Sequence, residues 1–166
     1  GMNDWLADQL HLTALHRLLD HGVDPVSGAP VGMGRVGELA NPLTPAEFIQ
    51  YCINVFAVPG VRWVQNPADQ DRLIRRVAIL GGAGQDFWPA AVDARADAYV
   101  TGDVTYHFAH DMVANHLTVV DPGHHIEAIC EPRLAELFKQ WQADCGWQFE
   151  IVQNNVNTDP FHFALA

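Results

Sequence analysis

Arg76-Val-Ala-Ile-Leu80 runs straight into Gly81-Gly82-Ala83-Gly84. The same order, a short apolar run followed by turn residues, returns in Ala98-Tyr-Val-Thr101 before Gly102-Asp103 and in Leu117-Thr-Val-Val120 before Asp121-Pro122-Gly123. Helical stretches separate these runs: Phe87 to Arg95, Tyr106 to Asn115, and a longer one from about His124 to Asp144. Strand and helix in repeated alternation predict βαβ units, hence an α/β protein with a mostly parallel sheet. Val61-Arg-Trp-Val64 and the alternating Trp147-Gln-Phe-Glu-Ile-Val152 are two further strand candidates.

Upstream, Asn3 can cap a helix reaching about Leu10, and Ala14 to Leu19 carries apolar positions at helical spacing. His21 to Pro30 is dense in Gly and Pro and reads as a loop or linker. Gly34 to Ala40 reads as a strand. Thr44-Pro45-Ala46-Glu47 combines a capping hydroxyl, a proline in the first turn and a glutamate able to bond back, so a helix starts there. The expected division is a helical segment and linker over residues 1–31, followed by an α/β domain over 32–166.

Composition narrows the function classes. The chain has 166 residues, 49% hydrophobic and 17% charged, which is the balance of a chain able to bury its own core. Twenty acidic against nine basic side chains leave a formal charge of −11, a field that repels phosphate backbones and anionic lipid. Neither nucleic acid nor a membrane is an expected partner. Three cysteines without a C-x-x-C pair argue against a disulfide framework and a cysteine zinc ribbon, and with no secretory signal visible a cytoplasmic location is expected.

In open parallel sheets, ligands bind beyond the carboxyl ends of the strands. Three loops there carry unusual residues. Gly81 to Gly84 is either a bare-amide cradle for an anion or a tight turn packing a helix on a strand. Thr101-Gly102-Asp103-Val-Thr-Tyr-His107 sets Asp103 as a helix cap and His107 four residues on, a pair suited to metal or acid-base work, or to a plain N-cap beside a half-buried histidine. Val120-Asp121-Pro122-Gly123-His124-His125-Ile126-Glu127 places His124 and Glu127 three apart on one face of a helix start, where both can reach one ion. His125 points elsewhere by the same geometry.

These segments, with Gly34-Arg-Val-Gly37, Ala109-His-Asp111 and Asn157-Thr-Asp-Pro-Phe161, resemble the dinuclear-metal-centre family labelled GTP cyclohydrolase type 2, or Ngg-interacting-factor-three-like. Order and spacing agree over essentially the whole chain. The resemblance implies that fold in part, His124 and Glu127 as metal ligands, and Asp103 and His107 lining the same cleft as catalytic residues. Full-length relatives carry an N-terminal lobe supplying a His-His pair and an Asp to the metals, and nothing like that pair precedes Asn3. The sequence is therefore expected to correspond to the C-terminal part, as a fragment or as a natural half-length product.

The resemblance further implies divalent ions, held weakly or not at all by this part alone. Mixed imidazole and carboxylate donors suit zinc, iron, manganese or nickel. It also implies a ring-shaped homo-oligomer and a small-molecule nucleotide substrate for a metal-dependent hydrolase when complete. No triphosphate clamp is expected, since basic residues near the three loops are absent. The alternative function is a non-catalytic metal-binding or protein-interaction scaffold.

Overall fold

Val77 and Ile79 point to one side of a sheet and Ala78 and Leu80 to the other, and all four are buried, because their strand lies in the sheet's interior. The computed structural model describes residues 1–154 and 156–164. Among these, six strands form one sheet in the order β1-β2-β4-β5-β6-β3: β1 Thr13–Val23, β2 Pro30–Leu43, β3 Arg62–Val64, β4 Ile74–Ile79, β5 Ala98–Val100 and β6 Thr118–Asp121.

Helices cover both faces. On one face, α1 (Met2–Gln9) and α2 (Pro45–Phe56) pack Leu6, Phe48 and Cys52 onto Val77, Ile79, Val100 and Val120. On the other, α3 (Trp88–Asp93) and α4 (Tyr106–Ala114) pack Ala91 and Met112 onto Ala78, Tyr99 and Val119. Burial in the first cluster pushes the Cys52 thiol up to about 12, leaving it an inert core residue. The α/β class is as expected. Parallel pairing, however, is confined to β4, β5 and β6, while β1 with β2, β2 with β4, and β3 with β6 run antiparallel. The sheet is mixed rather than mostly parallel.

Three local expectations are corrected. Residues 14–19 form part of β1, not a helix: the long hairpin with β2 supplies hydrogen bonds and partners that override a helical spacing of leucines. The hairpin turn is held by Asp24, whose carboxylate accepts from Val26 N, Ser27 N and Ser27 Oγ. Residues 1–31 thus contribute a core helix and a sheet strand instead of a helical segment and linker. Residues 147–152 form no strand. The chain leaves the last helix through Gly146, in the left-handed conformation at φ 67°, and finds no sheet edge to join.

The long helix expected from His124 is divided. His124–Ile129 is a 3-10 turn, and α5 runs Cys130–Cys145. Pro132 falls in the first turn of α5, where its missing N–H costs nothing. The start of α2 is as expected, with Thr44 Oγ1 accepting from Glu47 N and the Glu47 carboxylate accepting from Thr44 N. Thr44→Ala is expected to lower stability by about 1 kcal/mol in urea denaturation.

Candidate metal centre at the carboxyl ends of β4, β5 and β6

Because β4, β5 and β6 are parallel and adjacent, the turns that follow them emerge side by side. Glycine lets them touch. A Cβ on Gly102 would lie 2.9 Å from His124 N, 3.0 Å from Gly123 C and 3.0 Å from Gly82 O. On Gly82, whose φ is +69°, it would lie 2.4 Å from Glu127 Oε1 and 3.5 Å from His124 Nε2. Gly82 lies under the His124 and Glu127 side chains, and Gly102 lets the backbones of the three turns close on one another.

His124 stands between two carboxylates. Its Nδ1 is 2.6 Å from Asp103 Oδ2, and its Nε2 is 3.3 Å from Glu127 Oε2. The hydrogen bond to Asp103 raises the imidazole above its ordinary pKa; desolvation opposes this, and the charges of Glu127 and Asp103 add to it, so the net shift is upward. In a 3-10 turn residues three apart eclipse, which brings Glu127 under the His124 ring. Asp103 reaches His124 because its backbone is left-handed, φ 58°, a conformation that aspartate tolerates better than most residues.

That conformation also separates Asp103 from His107. Helix α4 begins at Tyr106 with Thr105 as its cap, so Asp103 is not the cap and does not share a helical face with His107. His107 is exposed, packs edge-on against Tyr106 at 5.6 Å between ring centroids, and among the described residues makes no hydrogen bond or ion pair with the His124 group. Asp103, His124 and Glu127 are brought together; His107 is not.

The glycine turn after β4 is a support. Gly81 N donates to Asn3 Oδ1 on α1, and Gly84 N donates to Thr101 Oγ1, so these amides are already engaged. Two of the four amides of the turn thus serve packing and not a ligand. Tyr99 closes the same turn from below by donating its hydroxyl to Gly84 O.

Two residues that sequence reasoning passed over organise the site. Asp121 is buried, yet its carboxylate accepts from Val104 N at 3.1 Å and Gly123 N at 2.9 Å, pinning the second and third loops to each other. It also pairs with Arg62. A basic residue therefore does stand at the loops, delivered by β3, which the sequence order places more than 50 residues before β6. The signal available was an Asp ending a strand that is otherwise uncharged and wholly buried.

A cleft of about 380 Å³ opens beside His124 and Asp103. Its far wall is the C-terminal segment, with Asp159, Phe161, His162 and Phe163, and His125 lies at its side. Among the described residues no group of three or more His, Cys, Asp or Glu side chains is arranged to hold a metal ion, and no helix is long and apolar enough to cross a membrane. All three cysteines are free thiols.

Known proteins match both the sequence and the fold. A profile of the DUF34/NIF3 (NGG1p interacting factor 3) family matches residues 1–160. A GTP cyclohydrolase 1 type 2 homolog from Streptococcus pneumoniae is 38% identical over 163 residues, covering 98% of this chain and 59% of that protein. A protein of the same name from Halalkalibacterium halodurans is 39% identical over 136 residues, covering 82% of this chain and 36% of its own length. The chain thus spans between about a third and three fifths of these relatives. Among solved structures, a Bacillus cereus protein related to NIF3 superposes with a TM-score of 0.89 at 21% identity, over 99% of this chain and 70% of that one, which establishes the fold. On this combined match, the chain belongs to the DUF34/NIF3 family.

Proposed function

We propose that this chain is the C-terminal part of a divalent-metal-dependent hydrolase acting on a small nucleotide-like substrate, with His124 and Glu127 as its metal ligands. The observation that carries the reading is the convergence of His124 Nε2 and the Glu127 carboxylate at 3.3 Å over a backbone kept bare by Gly82. Imidazole nitrogen and carboxylate oxygen are a donor set that zinc, iron, manganese and nickel accept. A bound divalent ion would polarise a substrate oxygen and lower the pKa of water.

The chain's own residues do the rest. Asp103 accepts from Nδ1–H of His124, fixing the tautomer that leaves Nε2 free as a donor atom and making the ring more basic. Asp121 holds the Gly102 and Gly123 turns in register, so that this geometry survives thermal motion. Two donors are fewer than the three protein ligands usual in catalytic sites, so the remaining ligands come from outside these residues and binding by this chain alone is weak. The names of the relatives support a nucleotide substrate for the whole protein. In the whole protein, metal-dependent hydrolysis of GTP should be abolished by chelator, restored by added metal, and lost in Glu127→Gln. Hydrolysis indifferent to chelator would overturn the reading.

A non-catalytic scaffold is the second reading, favoured by the lack of a three-donor cluster among the described residues. It is distinguished by stoichiometric metal without turnover in the whole protein. Self-association is proposed as well. Leu134, Phe138 and Trp141 form an exposed apolar stripe along α5, a surface that favours contact with another copy. Light scattering at micromolar concentration should show a homo-oligomer, and a monomer would count against it.

A further inference from the structure

β3 is the last strand of the sheet and is paired on one side only, with β6. Among the described residues no backbone N–H or C=O of Arg62, Trp63 or Val64 bonds to a partner beyond that ladder, so the outer edge of β3 is a row of open donors and acceptors. An apolar groove of about 320 Å³ lies beside it, between β3 and the first turns of α4. Val64, Val104, Ala109 and Val119 wall the groove, and Trp63 and Tyr106, both exposed, stand at its rim.

The charges at the groove say what fits there. Two charged residues line it, and they differ in exposure: the Asp121 carboxylate is 4% exposed and already holds two backbone amides and Arg62, whereas Arg62 is 68% exposed. Arg62 spends one terminal nitrogen on Asp121, and among the described residues its other N–H groups face solvent. The remaining polar side chains of the lining are the hydroxyls of Thr105 and Tyr106. The groove therefore offers one available charge, and it is positive on a chain of formal charge −11. An anionic group beside an apolar one is its complement.

The strand's own geometry fixes the spacing of those two groups. Arg62 and Val64 are two residues apart and share a face of β3, the face of their ladder partners Asp121 and Val119, which line the groove with them. A strand laid along the outer edge sets alternate side chains over that face. We propose that the outer edge of β3 takes up an extended segment of a partner protein as a further strand of the sheet, with an acidic side chain on Arg62 and, two residues away, an aliphatic side chain in the groove. The inference goes beyond the hydrolase reading and does not rest on it, since neither His124 nor Glu127 takes part.

The test is fluorescence anisotropy with short labelled peptides, threonine-rich around a central Glu-Thr-Leu or its Gln-Thr-Leu counterpart. The Glu peptide should bind severalfold more tightly than the Gln peptide. Replacing the peptide's leucine by alanine should weaken binding about tenfold or more, the loss of one buried aliphatic side chain, with no change to the protein. Methylating the peptide's backbone amides on one of its two alternate phases, at Glu and Leu or at the threonines, should abolish binding, because one phase faces β3. Arg62→Gln should bring the Glu peptide down to the affinity of the Gln peptide and leave the latter unchanged, whereas a merely structural role would weaken both. The proposal is overturned by no binding of the Glu peptide, by equal affinity of the Glu and Gln peptides, by indifference to both methylation patterns, or by equal weakening of both peptides in Arg62→Gln. Displacement by an equal concentration of hexanoate would assign the groove to a small carboxylate, and a dimer lost in Ala109→Phe, which fills the groove, would assign it to a second copy; either result also overturns the proposal.

Discussion

Asp121→Ala is expected to lower the unfolding free energy by about 2–4 kcal/mol. The carboxylate is 4% exposed and accepts two backbone amides, Val104 N and Gly123 N, from different loops. Removing it leaves the buried Val104 N without a partner, at roughly 1–3 kcal/mol, and the part-buried Gly123 N at the cleft, which water reaches in part, at the low end of the same range. Arg62 contributes little to the loss, because its side chain is 68% exposed and returns to solvent. Asp121→Asn keeps one acceptor oxygen and should lose less than half as much. Urea denaturation of the three proteins checks this, and a loss below about 0.5 kcal/mol for Asp121→Ala would mean that the loops do not depend on this residue.

Gly102→Val is expected to be worse for the site than for the fold, though it harms both. Every atom that a Cβ at 102 would meet within 3.0 Å belongs to the backbone of Gly82, Gly123 or His124, so no side-chain rotation can relieve the overlap. The turns must separate. Overpacking of this kind costs about 1–3 kcal/mol, and the branched valine should fall at the upper end. The same displacement moves His124 away from Glu127, so metal uptake should fall with it. Gly82→Ala makes an informative contrast. There the nearest atom is Glu127 Oε1, the far end of a flexible side chain, so metal uptake should suffer while stability drops mainly by the strain of φ +69°. Thermal melts and zinc titrations on both variants separate the two effects.

Much of this arrangement is legible in the amino-acid order because the three parallel strands are short, buried where they approach the site and followed by glycine turns, so that pattern and structure coincide at Val77 to Gly84, Ala98 to Asp103 and Thr118 to Glu127. The His124 and Glu127 pairing follows from spacing alone, and a 3-10 turn only tightens it. Asp103 is right as a residue of the site and wrong in its geometry: a left-handed φ at a non-glycine residue leaves no trace in periodicity, and with it the link to His107 is lost.

Residues 14–19 show the opposite limit. Their leucines sit at helical spacing on an edge strand whose burial is only partial, so period-two alternation is never imposed, and the hairpin with β2 decides the matter at long range. Arg62 and Asp121 were beyond reach for a related reason. Their contact depends on β3 pairing with β6 across 59 residues, a topological fact and not a local one.

The role of His124 and Glu127 as metal donors is tested most directly by zinc titration of the dialysed chain, wild type beside His124→Ala. The purified chain should carry clearly less than one equivalent of metal, take up zinc at one weak site that chelator empties, and lose that affinity by about 100-fold or more in His124→Ala. Asp103→Asn should fall between the two, as expected of a residue that orients the ring rather than binding the ion. Zinc affinity unchanged in His124→Ala would contradict the site, and a stoichiometric metal that resists chelator and depends on His124 would contradict the claim that its remaining ligands come from outside these residues.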